Sequence, residues 1–98
     1  MKIEILDEAR EDLLEGYRFY EKQSGGVGVY FLNSLFSDID SLSLYAGIHR
    51  VVNGSHRCLS KRFPFAIYYR IENDVILVRA VLDCRQHPEW ISRRLKIE

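Results

Sequence analysis

Between Phe65 and Asp83 the chain reads Phe-Ala-Ile-Tyr-Tyr-Arg-Ile, then Glu72-Asn73-Asp74, then Val-Ile-Leu-Val-Arg-Ala-Val-Leu-Asp. Two β-branched and aromatic runs joined by a short polar turn predict an antiparallel strand pair. In the second run Ile76, Val78, Ala80, Leu82 and Cys84 alternate with Val75, Leu77, Arg79, Val81 and Asp83. A period of two places the first set on one wholly apolar face and the second on a mixed face. The apolar face needs a cover. Arginines spaced along such strands, among them Arg57, Arg70 and Arg79, cannot all enter a core. They are expected to project from an open sheet face or an edge, where an acidic group can meet them.

The cover is legible upstream. Lys2 to Leu6 alternates and reads as a first strand. Asp7 is placed to cap a helix, with Glu8, Glu11 and Asp12 in the first turns, where the dipole favours negative charge. Ala9, Leu13, Tyr17 and Tyr20 form its stripe, and Leu14 widens it. Ser24-Gly25-Gly26 ends this helix. A second helix is expected from Val27 to Tyr45, with Val27, Phe31, Leu35, Ile39 and Leu42 as its stripe and Tyr30, Leu32 and Phe36 broadening it. Helices joined by so short a turn form an antiparallel hairpin. After Ala46-Gly47 the period changes from helical to alternating. Val51-Val52 begins a strand, Asn53-Gly54 signals a turn, and Ser55 to Ser60 reads as another strand. Pro88 to Leu95 is expected to form one or two helical turns started by proline. The predicted fold class is α+β: an N-terminal strand and a helix hairpin on one face of a three- to five-stranded antiparallel sheet, with a short C-terminal helical tail.

The chain has 98 residues, 47% of them hydrophobic, which suits one packed domain spanning 1–98. No apolar run is long enough to cross a bilayer. The N-terminal segment is too short and too acidic for a secretory signal, so a cytoplasmic location is expected, with Cys58 and Cys84 as reduced, buried thiols. The formal net charge of zero conceals a division. Residues 1–48 hold four basic and nine acidic side chains, residues 49–98 ten basic and five acidic. A basic half built on strands hints at an acidic or polyanionic partner.

Other chemistries find little support. Cys58, Cys84, His49, His56 and His87 lack the close spacing of a zinc site. No Gly-x-Ser-x-Gly elbow is present, and the glycines form no phosphate-cradling loop. No metal or cofactor is therefore expected. What remains is a basic set: Arg57, Lys61, Arg62, Arg70, Arg79, Arg85, Arg93 and Arg94, with Tyr68, Tyr69, His87 and Trp90 among them. Guanidinium groups suit phosphate and carboxylate, and neighbouring aromatics could stack on bases. The same set also fits a solvated face that offsets the acidic helices, or a protein-binding surface with Trp90 and arginine as anchors.

Nearly the whole chain resembles the RelE/ParE superfamily of toxins from bacterial type II toxin–antitoxin modules. The resemblance rests on Glu8-Ala9, Asp12-Leu13 and Tyr20 in the first helix, on Arg62 to Ile71, on Val78 to Leu82, and on Arg85, Pro88 and Trp90. It points to the ParE-type branch, often labelled plasmid stabilisation proteins. The resemblance implies a small cytoplasmic toxin neutralised by a cognate antitoxin, whose C-terminal segment folds on the toxin as it binds. ParE-type members poison DNA gyrase; RelE-type members cut mRNA on the ribosome. The nuclease members carry an arginine shortly before the central-strand tyrosine, where this chain has Phe65-Ala66, and many are strongly basic overall. Both differences favour the gyrase-poisoning binder. On that reading Arg57, Arg62, Arg70, Arg79, Arg85, Trp90 and Arg93 contact antitoxin or target, and none of them does chemistry. On the nuclease alternative Lys61, Arg62, Arg85 and His87 surround the scissile phosphate. A third alternative is a non-toxic antitoxin-binding module. Relatives of the ParE branch often have histidine where this chain has Asp83.

Overall fold

The structure is a computed structural model and describes residues 1–96. Five strands and four helices follow in the order β1 (Lys2–Ile5), α1 (Asp7–Gln23), α2 (Val27–Asp40), α3 (Leu42–Tyr45), β2 (Val51–Val52), β3 (Ser55–Leu59), β4 (Phe65–Glu72), β5 (Val75–Asp83) and α4 (Pro88–Leu95). The sheet order is β1-β5-β4-β3-β2. Strands β2 to β5 form the expected antiparallel meander. Both hairpin turns, Asn53-Gly54 and Asn73-Asp74, have positive φ at both residues, the backbone twist that two-residue hairpins require.

Three departures from the sequence reading have physical causes. First, β1 pairs with β5 in parallel, Ile3 opposite Ile76 and Ile5 opposite Val78, so the sheet is mixed. Second, Asp7 is not the cap of α1. Leu6 holds that position with no side-chain bond, because its N–H still donates to Val78 O at 3.0 Å on the sheet edge. The strand thus runs directly into the helix. Third, the second helix breaks at Ser41 into α2 and α3, and Ser41 Oγ bonds back to Asp38 O at 2.6 Å.

The principal core lies between the hairpin and one sheet face. It gathers Ala9 and Leu13 of α1, Phe31, Leu35 and Ile39 of α2, Leu42, and Phe65, Ile67, Tyr69, Ile76, Val78 and Val81 of the sheet. At the helix crossing Gly16 leaves room for the Phe31 ring, which a Cβ there would meet at 2.4 Å. A Cβ on Gly28 would meet Tyr17 O at 2.7 Å, so glycine is required on both helices for this close approach. The Glu21 carboxylate accepts from the Gly26 and Gly28 N–H groups, each at 2.9 Å, and caps α2 from α1. Leu14, Tyr30 and Phe36, expected to widen the buried stripes, are exposed. Leu14 and Phe36 instead line an open apolar groove with Ile5, Leu13 and Leu32.

A second, smaller cluster lies on the opposite sheet face, where Ala66, Tyr68, Ala80 and Leu82 pack against Leu95, with Trp90 and Ile91 of α4 alongside. That arrangement corrects the predicted alternation along β5. Tyr69 pairs with Val78 and Tyr68 with Ala80, leaving Arg79 as an extra residue. This bulge inverts the parity of everything after it. Ile76 and Val78 therefore face the hairpin, whereas Ala80 and Leu82 face α4 and Val81 returns to the hairpin side. No helix among the described residues is long and apolar enough to cross a membrane.

Candidate functional site

The bulge decides where the arginines go. Arg57 is paired with Tyr68, and Tyr68 belongs to the small cluster, so Arg57 lies on the α4 side of the sheet. Arg70 is two residues along β4 and shares that face. The Arg79 guanidinium reaches Ser55 Oγ at 2.6 Å and Leu95 O at 3.3 Å, across the same face. Three arginines on three adjacent strands thus lie opposite the helix hairpin, as expected for an open face.

Their partners differ. Arg70 is paired with Glu72 at 2.8 Å, both side chains substantially exposed. Arg57 donates to the Tyr68 hydroxyl at 3.3 Å and lies 3.6 Å from Cys84 Sγ. The Tyr68 bond is the main reason its guanidinium pKa is raised. Burial lowers the Arg79 pKa, and the positive charge of Arg70 lowers it further. Among the described residues neither Arg57 nor Arg79 has a carboxylate within ion-pair distance. Two half-buried cations held by neutral acceptors are arranged to take an anionic group from outside. Beside them, a trough of about 510 Å³ runs between α4 and the β2–β3 turn, lined by Asn53, Ser92, Arg93, Leu95 and Lys96. Lys96 and Ser55 extend the site and were not singled out from the sequence.

Helix α4 forms one wall of this face and is tied down from the other side of the sheet. Asp12 of α1 is buried; its carboxylate accepts from the Val81 N–H at 3.0 Å and from both Arg94 terminal nitrogens at 2.8 Å. Strand β1 ends at Ile5, opposite Val78, so beyond it the β5 edge has no strand beside it, and Asp12 supplies the missing acceptor. The Arg94 pKa is raised chiefly by the Asp12 bond, and the same guanidinium lies 5.7 Å from the Trp90 ring centroid. From the sequence alone Asp12 is expected only in the dipole field of the helix. Its position between Ala9 and Leu13, inside the apolar stripe, was the available sign of a buried carboxylate.

The remaining candidates are dispersed or already engaged. Arg62 and Lys61 are exposed in the β3–β4 loop, where the Lys61 N–H and the Ser60 hydroxyl are held by the Asp38 carboxylate. Arg85 is exposed and clamped two-pronged onto Asp83, at 2.9 and 2.7 Å. That clamp holds the Asp83 carboxyl below its usual range and raises the Arg85 pKa. His87 caps α4, its Nδ1 accepting from the Glu89 N–H at 3.1 Å. Arg93 lies on the exposed side of α4 near Glu89, and Trp90 is part of the small cluster. The Cys84 N–H donates to Pro64 O at 2.8 Å, so Lys61, Arg62, Arg85 and His87 lie in two loops at one end of the sheet. Two of the four are already committed to local bonds. Phe65 and Ala66 are both buried, one on each sheet face. Cys58 and Cys84 are free thiols; burial pushes the Cys58 pKa up. Among the described residues no cluster of three potential metal ligands occurs.

No protein-family model matches the chain, and no curated protein matches it. Among solved structures it is similar to a chain described as "Chromosomal ParDE TA system from P. aeruginosa", at 21% sequence identity and a TM-score of 0.76. The similarity covers 83% of this chain and 92% of that one. The mixed sheet, its helix hairpin and the short helix on the far face are therefore the ParE-like fold.

Proposed function

We propose that the chain is the toxin of a type II toxin–antitoxin module, neutralised by a cognate antitoxin and acting in the cytoplasm by binding and poisoning DNA gyrase. The supporting observation is the pair Arg57 and Arg79, two half-buried guanidinium groups with no carboxylate partner among the described residues, on the sheet face that α4 leaves open. An acidic antitoxin segment laid along this face supplies the missing anions, and Arg93 and Lys96 extend the field along the trough. RNA cleavage needs a free base and a free cation beside the scissile phosphate. Here His87 Nδ1 is occupied as a helix cap and Arg85 is neutralised by Asp83, which leaves the set, among the described residues, only His87 Nε2 as a base and Lys61 and Arg62 as free cations. The binding role is therefore favoured over the endonuclease role.

Inducible expression in a bacterium lacking the antitoxin tests this reading. The expected outcome is growth arrest with an SOS response and gyrase-linked DNA breaks, while mRNA stays intact. Rapid cleavage of mRNA on ribosomes would favour Lys61, Arg62, Arg85 and His87 as a nuclease site instead. Unimpaired growth would leave only an antitoxin-binding module.

A further inference from the structure

Segment 46–52 has little apolar hold on the rest of the molecule. Ile48 and Val51 stay 73% and 58% exposed, and Gly47, at φ 96°, carries no side chain. Strand β2 is two residues long, lies at the edge of the sheet and pairs with Ser55 and His56 of β3. The bonds that hold the segment are polar, and several converge on one atom. Tyr69 is fully buried. Its hydroxyl oxygen accepts from the Gly47 N–H at 2.9 Å and is hydrogen-bonded to His49 Nδ1. His56 stacks on the Tyr69 ring, centroids 4.9 Å apart, and its Nδ1 donates to His49 O at 2.7 Å.

Hydrogen accounting fixes the protonation state of this cluster. Burial raises the Tyr69 pKa, and backbone N–H groups of Gly47 and then His49 counter the rise from the oxygen side. The hydroxyl keeps its own hydrogen, which needs an acceptor, and His49 Nδ1 is the one within reach among the described residues. His49 is then neutral, with its hydrogen on Nε2. A proton added at Nδ1 would face the tyrosine hydrogen, and the bond between the two side chains would be lost.

We propose that Tyr69, His49 and His56 form a pH-operated latch on segment 46–52, closed while His49 is neutral and opened when it gains a proton. The titratable and charged groups around the His49 ring are His56 and Cys58 of β3, Tyr69 of β4, Asp38 of α2, Tyr45 of α3 and Lys61 of the β3–β4 loop, with Arg50 next in the chain. The Asp38 carboxylate favours the added proton but is already held by the Ser60 hydroxyl and the Lys61 N–H. Lys61, Arg50 and a charged His56 oppose it. Burial, and then His56, keep the His49 pKa below 6.5. The latch is therefore closed above pH 6.5 and opens as pH falls through the lower, folded value. Opening reaches the arginine face. The Arg57 N–H donates to Arg50 O at 2.8 Å, and Val52 pairs with Ser55, whose hydroxyl holds Arg79. Release of the segment therefore frees β3 beside both guanidinium groups and loosens an acidic partner bound there; this last consequence alone rests on the proposed function.

Nuclear magnetic resonance of the isotope-labelled full chain, titrated from about pH 8 to about pH 5, tests the latch without any partner. Above pH 6.5 the His49 ring should carry its hydrogen on Nε2. As His49 titrates, the Gly47 and Arg57 amides should shift with the same midpoint. Their hydrogen-exchange protection should fall at least about tenfold relative to that of the central strands β4 and β5. His49→Gln should abolish both changes. Tyr69→Phe, which keeps the buried ring, should raise the His49 pKa toward its ordinary value and lower the Gly47 protection already at neutral pH. A His49 hydrogen on Nδ1 at neutral pH overturns the proposal, as does a His49 titration that leaves the two amides in place. The same response persisting in His49→Gln would assign it to Asp38 or His56 and overturn it as well. Failure of the toxin reading would leave all of these outcomes unchanged.

Discussion

The two faces of the sheet are built from the same strands yet do different work. On the hairpin face, Phe65, Ile67, Tyr69, Ile76, Val78 and Val81 meet two helices whose buried side chains are apolar apart from Asp12, Ser34 and Asp38. On the α4 face, Ala66, Tyr68, Ala80 and Leu82 make a smaller apolar strip, and Arg57, Arg70 and Arg79 occupy the remainder. Burial on the first face supplies the area that stabilises the fold. The second face is spared enough of that load to carry Arg57 and Arg79 with no carboxylate partner among the described residues. The contrast predicts that stability and binding can be separated by face.

The largest effect is expected from Phe31→Ala. Phe31 is fully buried against Tyr20, Phe63 and Phe65, so its truncation should cost about 3–5 kcal/mol in urea denaturation. Any variant protein that remains folded should keep its affinity for the acidic partner. Next comes Asp12→Ala, which leaves Arg94 and the Val81 N–H without their acceptor. It should cost about 1.5–3 kcal/mol, and amide hydrogen exchange should quicken first in α4, the element held by this bond. Uniform loss of protection across the chain would show that the two faces are not separable.

Arg57→Ala and Arg79→Ala should behave in the opposite way. Each is expected to change stability by less than about 1 kcal/mol while weakening the acidic partner by about 10–30-fold in calorimetry. If both bind like the parent, the α4 face is a solvated counterweight to the acidic helices and the comparison collapses.

The smallest effect concerns pH. The buried Tyr69 hydroxyl accepts from the Gly47 N–H at 2.9 Å and is hydrogen-bonded to His49 Nδ1. His56 stacks on the Tyr69 ring and donates from Nδ1 to His49 O at 2.7 Å. Burial, and then the neighbouring His56, push the His49 pKa below its ordinary 6.5. A histidine depressed in the folded state binds its proton more readily when unfolded. Its contribution is therefore complete above pH 6.5 and is lost as pH falls through the folded value. Thermal melts should show stability declining on acidification below pH 6.5, and His49→Gln should flatten that decline.

Much of this molecule was legible in the chain itself. Helix stripes such as Phe31, Leu35 and Ile39, the two-residue turns at Asn53-Gly54 and Asn73-Asp74, and the proline-started α4 depend on residues within a few positions of one another. Local periodicity and turn chemistry determined them. The presence of arginines on an open strand face also followed, because a guanidinium group cannot be buried unpaired among apolar strands. Contacts between distant residues had no such local signal. The direction of β1 beside β5, the extra residue at Arg79 and the Asp12–Arg94 tie join positions 69 to 82 residues apart or depend on the partner strand. Only the assembled sheet determines which backbone groups at its edge remain unpaired. That in turn decides which arginines share a face and which of them lack an anion among the described residues.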